Sequence, residues 1–276
     1  MGGYGGGRKG DGGRGRGAEG TRRVLITGAS SGLGRALALD YADHGYSVGA
    51  LARRGDLLNT LVELHPEHIT AITADTTDFE ALEQAIHRFN IEEGGLDLVY
   101  ANAGIGQHAV EEGWNPEKAR RIAEVNVVGS TNTIAVAATI MVAQGHGRIV
   151  GISSLAGELP LPSSAAYGAS KSWMKFYLQS LDMDLRDAGV RCTVVMPGYI
   201  ATPMVDGAES ELVTEGAKRA ARLIAERVAR GDALIRFPRR AAFLASVAKM
   251  MPASWRIGMQ RKRLRKRKTI RGGREL

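Results

Sequence analysis

The stretch Thr27-Gly28-Ala29-Ser30-Ser31-Gly32-Leu33-Gly34 decides the predicted fold. It lies between a short apolar run, Arg22 to Ile26, and a helical pattern that stops at Gly45. Glycine permits the tight turn from strand to helix and lets the backbone approach a pyrophosphate closely. The unpaired N–H groups at the start of the helix favour the same group. The turn alone leaves one alternative, an ordinary Gly-rich connection.

Short apolar runs alternate with helical patterns along the rest of the chain. We predict strands over residues 22–26, 46–52, 69–74, 96–101, 148–152, 190–195 and 233–235. We predict helices over residues 32–45, 57–64, 79–92, 116–143, 165–188, 217–229 and 241–251. This alternation predicts an α/β protein, a single-domain Rossmann-type doubly wound parallel sheet of about seven strands with helices on both faces.

Composition divides the chain into four parts. Residues 1–21 are mostly Gly with scattered Arg, which predicts a disordered arm. Residues 22–238 hold the predicted domain, 239–260 an amphipathic extension and 261–276 a basic tail. The formal net charge is +8, but the basic residues concentrate at both ends and the middle is net negative.

The same survey excludes several classes of protein. The single cysteine, Cys192, excludes an internal disulfide and a cysteine-rich metal site, and the scattered histidines suggest no metal site either. No uninterrupted apolar run approaches the roughly 18 residues that span a bilayer, and the N-terminus lacks an apolar signal core. The expected location is therefore cytoplasmic.

Arginines follow the second predicted strand where an acid would favour NAD. No Asp or Glu occurs between Tyr46 and Arg54, and Arg53 and Arg54 follow Ala52. A guanidinium suits the 2′-phosphate of NADP, and Ser30 or Ser31 can add a hydroxyl. The pattern predicts NADP(H) in preference to NAD(H), with Arg53 at the phosphate. The alternative is that both arginines are solvated loop charges.

Three side chains form a candidate catalytic set. Tyr167 and Lys171 are one helical turn apart and share a helix face. A nearby ammonium favours the phenolate, so the pair predicts a tyrosine that exchanges a proton with a carbonyl or alcohol oxygen. Ser154 follows the fifth predicted strand, at the edge of the sheet where ligands bind in open α/β folds.

These motifs, taken in order, resemble the short-chain dehydrogenase/reductase family over about Arg22 to Pro238. The resemblance implies an oxidoreductase that transfers a hydride between NADP(H) and a carbonyl or secondary alcohol. It implies that Ser154 polarises the substrate carbonyl, Tyr167 is the general acid/base and Lys171 lowers the tyrosine pKa and binds the nicotinamide ribose. It also implies that Asn126 holds a water in a proton relay to Lys171.

The resemblance also assigns cofactor contacts beyond the glycine turn. It implies that Asp75 contacts adenine and that Asn102-Ala103-Gly104 flanks the cofactor. It implies that Pro197-Gly198 and Thr202 lie against the nicotinamide. Family members are usually dimers or tetramers built on two long helices, here 116–143 and 165–188, so we expect a homodimer or homotetramer. Substrate choice depends on residues 199–216 and on the loop after Gly104, whose side chains do not identify the substrate.

The termini leave a second class of function open. The chain could be a cofactor-sensing binding module whose basic ends contact an anionic membrane or nucleic acid. The complete catalytic set favours an enzyme. For the tail we expect weak, salt-sensitive attraction to anionic membranes and no specific nucleic-acid role. The helix over 241–251 either seats the protein on a membrane or covers the domain's own pocket, and we favour the second interpretation.

Overall fold

The computed structural model describes residues 22–106, 115–162, 164–198 and 214–252, together with residues 254, 255 and 258. Seven strands within these residues form one parallel sheet. Its strands are β1 (Arg23–Thr27), β2 (Ser47–Ala52), β3 (Ile69–Thr73), β4 (Leu98–Ala101), β5 (Gly147–Ile152), β6 (Val190–Pro197) and β7 (Leu234–Phe237). Their order across the sheet is β3-β2-β1-β4-β5-β6-β7. The predicted fold class is confirmed.

Helices cover both faces of the sheet. They are α1 (Gly32–Asp43), α2 (Gly55–Leu64), α3 (Phe79–Glu92), α4 (Pro116–Ala123), α5 (Gly129–Gln144), α6 (Ala165–Leu185), α7 (Glu215–Ala229) and α8 (Arg239–Met250). A π-helical segment, Glu124–Val128, joins α4 to α5. The sequence predicted one uninterrupted helix over 116–143, and the structure corrects this because the backbone widens by one residue around Asn126.

Two apolar clusters pack against the sheet, one on each face. One contains Leu37 of α1, Leu58 of α2 and Ile224 of α7. The other contains Phe89 of α3, Ile134 of α5 and Leu178 of α6. Because β1 is covered on both sides, four of its five residues are buried, which explains its continuous apolar sequence.

The connected helical stretch Pro116–Gln144 contains a window with a mean hydropathy of 1.5, long and apolar enough to span a bilayer by composition. However, 56% of that window is buried inside the fold. Ile134, Ala137 and Met141 pack in the second apolar cluster. This burial is typical of a core helix.

The strand order creates a crevice at the carboxyl edge of the sheet. β1 pairs with β2 on one side and β4 on the other, so the chain reverses its direction of winding at β1. The helices that follow β1 and β4 therefore lie on opposite faces of the sheet, and ligands bind in the crevice at this edge. The loops after β5 and β6 leave the sheet at the same edge.

Candidate active site

The glycine turn after β1 has the close backbone contacts that its sequence predicts. Gly28 and Gly32 have positive φ values, 70° and 56°, in the region that favours glycine. A Cβ on Gly34 would lie 2.3 Å from the carbonyl oxygen of Gly28. Ser31 precedes α1 without capping it through its side chain. The turn and Leu33 in the first turn of α1 thus leave a cradle of backbone N–H groups that fits a pyrophosphate.

The loop after β4 is fastened to this turn. The Thr27 hydroxyl accepts hydrogen bonds from the backbone N–H groups of Asn102 and Ala103, both at 3.1 Å. The Asn102 side chain donates to the carbonyl oxygen of Thr27 at 2.8 Å. A Cβ on Gly28 would lie 2.8 Å from Cα of Ala103. These contacts bring the two loops that were assigned to cofactor binding together at the crevice.

The arginines after β2 have different partners. Arg54 donates to the hydroxyls of Ser30 and Ser31, at 2.9 Å each, so it lies beside the glycine turn. Arg53 is more exposed and its Nη1 lies 3.5 Å from a carboxylate oxygen of Asp75. The sequence analysis placed Arg53 at the predicted phosphate position. The structure adds Arg54, whose contact with the two serines the sequence did not predict.

Asp75 follows β3 at the same edge. Its carboxylate accepts hydrogen bonds from the backbone N–H and the hydroxyl of Thr77, each at 2.9 Å. Burial raises the pKa of Asp75, but these hydrogen bonds, with Arg53 and Arg121 nearby, outweigh burial and hold the pKa below its usual value. Asp75 is therefore an anchored, ionised acid at the edge of the crevice.

The candidate catalytic side chains meet where β5, β6 and α6 converge. Ser154 lies two residues beyond β5, and its hydroxyl donates to the carbonyl oxygen of Pro197 at 3.5 Å. Tyr167, on the first turns of α6, is close enough to Ser154 for the serine to lower the pKa of the phenol. The Lys171 ammonium lies 5.7 Å from the centre of the Tyr167 ring. The structure therefore places all three predicted side chains at one site.

Burial dominates the ionisation of this set. It raises the pKa of Tyr167, and the hydrogen bond with Ser154 lowers it in part. It also lowers the pKa of Lys171 to about 8. The expectation that Lys171 brings the pKa of Tyr167 below 10 is therefore not met in this structure. The physical reason is that burial is the largest influence on the phenol, and the Lys171 ammonium donates to the carbonyl oxygen of Ile152 at 2.8 Å.

Asn126 lies in the π-helical segment and joins three parts of the site. Its amide oxygen accepts from the Ile105 N–H at 2.8 Å, and its amide nitrogen donates to the Ile105 carbonyl at 3.0 Å. The amide nitrogen also donates to the Ser170 hydroxyl at 3.1 Å. A Cβ on Gly104 would lie 3.2 Å from the Asn126 amide oxygen and 3.4 Å from Lys171 Nζ. The described contacts of Asn126 hold the loop after β4, and its role in a water relay stays a prediction.

The remaining predicted cofactor residues lie after β6. Pro197 ends this strand, and Gly198 donates its N–H to the carbonyl oxygen of Phe237 at 2.7 Å. Thr202 and the predicted substrate segment up to residue 213 lie outside the described residues. Among the residues that are described, no group of three or more His, Cys, Asp or Glu side chains is arranged to hold a metal ion.

Sequence reasoning missed the side chains that hold the catalytic set in place. Ser153 is buried, and its hydroxyl donates to the carbonyl oxygen of Lys171 at 2.6 Å. The Ser170 hydroxyl donates to the carbonyl oxygen of Tyr167 at 2.8 Å. Small hydroxyl residues directly beside Ser154 and Lys171 were the available signal. The Ser153 bond joins the end of β5 to α6, and the Ser170 bond lies within α6, so both restrain the backbone that carries the catalytic set.

The chain was also compared with known proteins. A family model described as short chain dehydrogenase matches residues 22–212. An uncharacterized oxidoreductase of Myxococcus xanthus is 37% identical over 236 residues, covering 84% of this chain and 93% of that protein.

Two solved structures share the fold. A short-chain dehydrogenase/reductase from Burkholderia phymatum in complex with NAD gives a TM-score of 0.74 at 23% identity, covering 83% of this chain and 93% of that one. A short-chain dehydrogenase from Sphingobium yanoikuyae in complex with NADPH gives a TM-score of 0.68 at 25% identity, covering 84% of this chain and 97% of that one.

Proposed function

The chain belongs to the short-chain dehydrogenase family, and from that premise we propose that it interconverts a carbonyl compound and a secondary alcohol with NADP(H) as the preferred cofactor. The observation that carries the proposal is the meeting of three side chains at one site: Ser154 lies just beyond the end of β5, and the Lys171 ammonium lies 5.7 Å from the centre of the Tyr167 ring. These side chains lie at the same sheet edge as the glycine turn. A bound nicotinamide would supply or accept the hydride.

The chain's own residues would bind the substrate oxygen and exchange a proton with it. Ser154 would donate a hydrogen bond to this oxygen in place of the long one that it now makes to Pro197. Tyr167 would give the oxygen its proton during reduction and take that proton back during oxidation. Lys171 would remain oriented through its bond to Ile152, with a cofactor ribose as an additional partner. Asn126 would keep the loop after β4 closed against the cofactor.

Replacing the tyrosine hydroxyl tests the proposed chemistry. Tyr167→Phe keeps the ring but removes the proton donor, so turnover should fall by about 10²–10⁴-fold while cofactor binding is retained. Tyr177→Phe is the matched control, because Tyr177 lies on the same helix and stacks on Trp173 away from Ser154. The measurement is a screen of carbonyl compounds with both cofactors, followed by titration of cofactor fluorescence. A Tyr167→Phe enzyme with most of its turnover would refute the mechanism.

The preference for NADP(H) is supported by the basic group around Ser30. Arg54 already bonds the Ser30 and Ser31 hydroxyls, and Arg53 lies on the neighbouring side of the turn beside Asp75. A 2′-phosphate would receive charge-assisted hydrogen bonds here, which contribute about 1.5–3 kcal/mol each. NADPH should therefore bind about tenfold or more tightly than NADH.

Single substitutions distinguish the two arginines. Arg53→Gln and Arg54→Gln should each narrow the affinity ratio between NADPH and NADH. Arg88→Gln, an exposed arginine on α3, should leave the ratio unchanged. Equal affinity of the unmodified protein for NADPH and NADH would contradict the proposed preference for NADP(H).

A further inference from the structure

Helix α8 is attached to the domain through polar contacts. Arg236 of β7 donates to the Ala242 carbonyl and to the Ser246 hydroxyl, each at 2.7 Å. The carboxylate of Glu158, only 1% exposed, pairs with Arg236 at 3.1 Å and with Lys249. The side of α8 that faces the domain therefore carries Ala242, Ser246 and Lys249.

The large apolar side chains of α8 lie on an adjacent side of the helix, about 100° or more around from the side that faces the domain. Phe243 is 67% exposed, Leu244 65% and Met250 87%, and Val247 is also exposed. Phe243, Val247 and Met250 are spaced by one helical turn and form a single stripe, with Leu244 beside it. We call these four residues the α8 apolar face. The expectation that this helix covers the domain's own pocket stays a prediction, and these four side chains are exposed instead of packed on the domain.

Positively charged residues occur on α8 and in the sequence after it. Arg239 and Arg240 are exposed in the first turn of α8. Trp255 is exposed just beyond the helix. In the sequence that follows, seven of the eight residues from Arg261 to Lys268 are Lys or Arg, whereas the middle of the chain is net negative. The basic residues of the C-terminal part of the chain therefore begin on the helix that carries the α8 apolar face.

We propose that the α8 apolar face, with Arg239 and Arg240 of the same helix, docks the protein on an anionic membrane surface, and that the basic sequence over 261–268 adds to the attraction. An apolar stripe enters the interface between headgroups and acyl chains, while Lys and Arg attract anionic lipids. Association of two copies through the same face would bring Arg239 and Arg240 of both copies together, and their like charges would repel. A zwitterionic surface would leave the positive charge without a counterpart.

The ion pairs of Glu158 give the docked helix a fixed position relative to the active site. Glu158 directly follows the short 3-10 turn Leu155–Gly157, which Ser154 caps by accepting a hydrogen bond from the Ala156 N–H. α8 begins after β7, at the carboxyl edge of the sheet where the candidate site lies. Docking through α8 would therefore place the catalytic edge of the protein close to the membrane.

Vesicle flotation of the full chain tests the proposal without any measurement of turnover. The probes are vesicles of phosphatidylcholine alone and of phosphatidylcholine with phosphatidylserine, at low and high ionic strength. The unmodified protein should float with the phosphatidylserine vesicles at low ionic strength, and high ionic strength should release most of it. Binding that is equal on both vesicle types, or absent from both, would overturn the proposal.

Two full-length variants separate the apolar and ionic contributions. Phe243→Ser combined with Met250→Ser should weaken binding by roughly tenfold or more. Leu64→Ser combined with Ile91→Ser is the matched control, since these apolar side chains are equally exposed on α2 and α3, and it should bind normally. Replacing the seven Lys and Arg residues of 261–268 by Gln should abolish the part of the vesicle binding that depends on ionic strength.

The oligomeric state identifies the competing occupant of the face. Light scattering should give the Phe243→Ser, Met250→Ser variant the same mass as the unmodified protein. A reduced mass together with unchanged vesicle binding would assign the α8 apolar face to a second copy of the chain and overturn membrane docking. Unchanged thermal unfolding would show that the variant is folded.

Discussion

The buried ammonium of Lys171 should make the stability of the cofactor-free protein rise with pH. Lys171 is 6% exposed, and burial lowers its pKa from 10.5 to about 8. Below pH 8 the lysine is charged in both the folded and the unfolded protein, and the folded state bears the whole desolvation penalty. Between pH 8 and 10.5 the folded protein releases the proton while the unfolded chain retains it. Raising the pH therefore stabilises the fold through this group.

The two pKa values determine the size of the effect. Their difference, 10.5 minus about 8, is about 2.5, and each pKa unit corresponds to about 1.4 kcal/mol, so complete titration removes a penalty of about 3 kcal/mol. About 2 kcal/mol of this is regained between pH 7 and pH 9.5. Lys171→Met keeps a side chain of similar length but has no proton to release.

Urea unfolding at pH 7 and pH 9.5 isolates this contribution. The difference in unfolding free energy between the unmodified protein and Lys171→Met should shift by about 2 kcal/mol in favour of the unmodified protein at the higher pH. Taking the difference between two proteins cancels the titration of the groups that they share. Lys218→Met, at an exposed lysine on α7, is the control and should show the same difference at both pH values. A Lys171→Met difference that is independent of pH would refute the argument from burial.

Three further changes test other parts of the structure. Gly34→Ala should destabilise the protein by about 1–3 kcal/mol and weaken cofactor binding in a fluorescence titration, whereas Gly216→Ala, with no neighbouring atom closer than 3.7 Å to the new Cβ, should do neither. Asn126→Ala should lower the unfolding free energy in urea by about 1–3 kcal/mol, because buried partners lose their hydrogen bonds. We expect the unmodified protein to be at least a dimer by light scattering, and Phe176→Ser with Met183→Ser on the exposed face of α6 to reduce its mass. A monomeric unmodified protein would contradict the last expectation.

Local patterns in the sequence were sufficient to predict the sheet. β1 and β6 are rich in buried apolar residues because helices cover both sides, and the glycine turn is identified by its eight residues together with the strand before it and the helix after it. The Tyr167–Lys171 pair was equally accessible, because one helical turn fixes its geometry. Such features depend on neighbours in the chain.

Features that depend on distant contacts were not predicted. Glu158 is joined to Arg236 and Lys249, which lie far along the chain, and these partners decide which side of α8 faces outward. The different partners of Arg53 and Arg54 depend on the path of the chain between the end of β2 and the start of α2, which brings Arg54 beside Ser30 and Ser31. The burial of Lys171 likewise results from tertiary packing, which the local sequence pattern does not predict.

The π-helical segment Glu124–Val128 also determines how the two halves of the long helical stretch face their neighbours. A π turn holds one residue more than an α turn, and each residue of an α-helix advances the chain by about 100°. If the same five residues adopted regular α geometry, they would turn the chain about 100° further, and α4 would rotate by about a quarter turn relative to α5. The side of α4 that now packs on α6 would then face elsewhere, although every residue on α4 and α5 would be unchanged. The wide turn therefore compensates for the extra residue and keeps α4 and α5 in their present relative orientation.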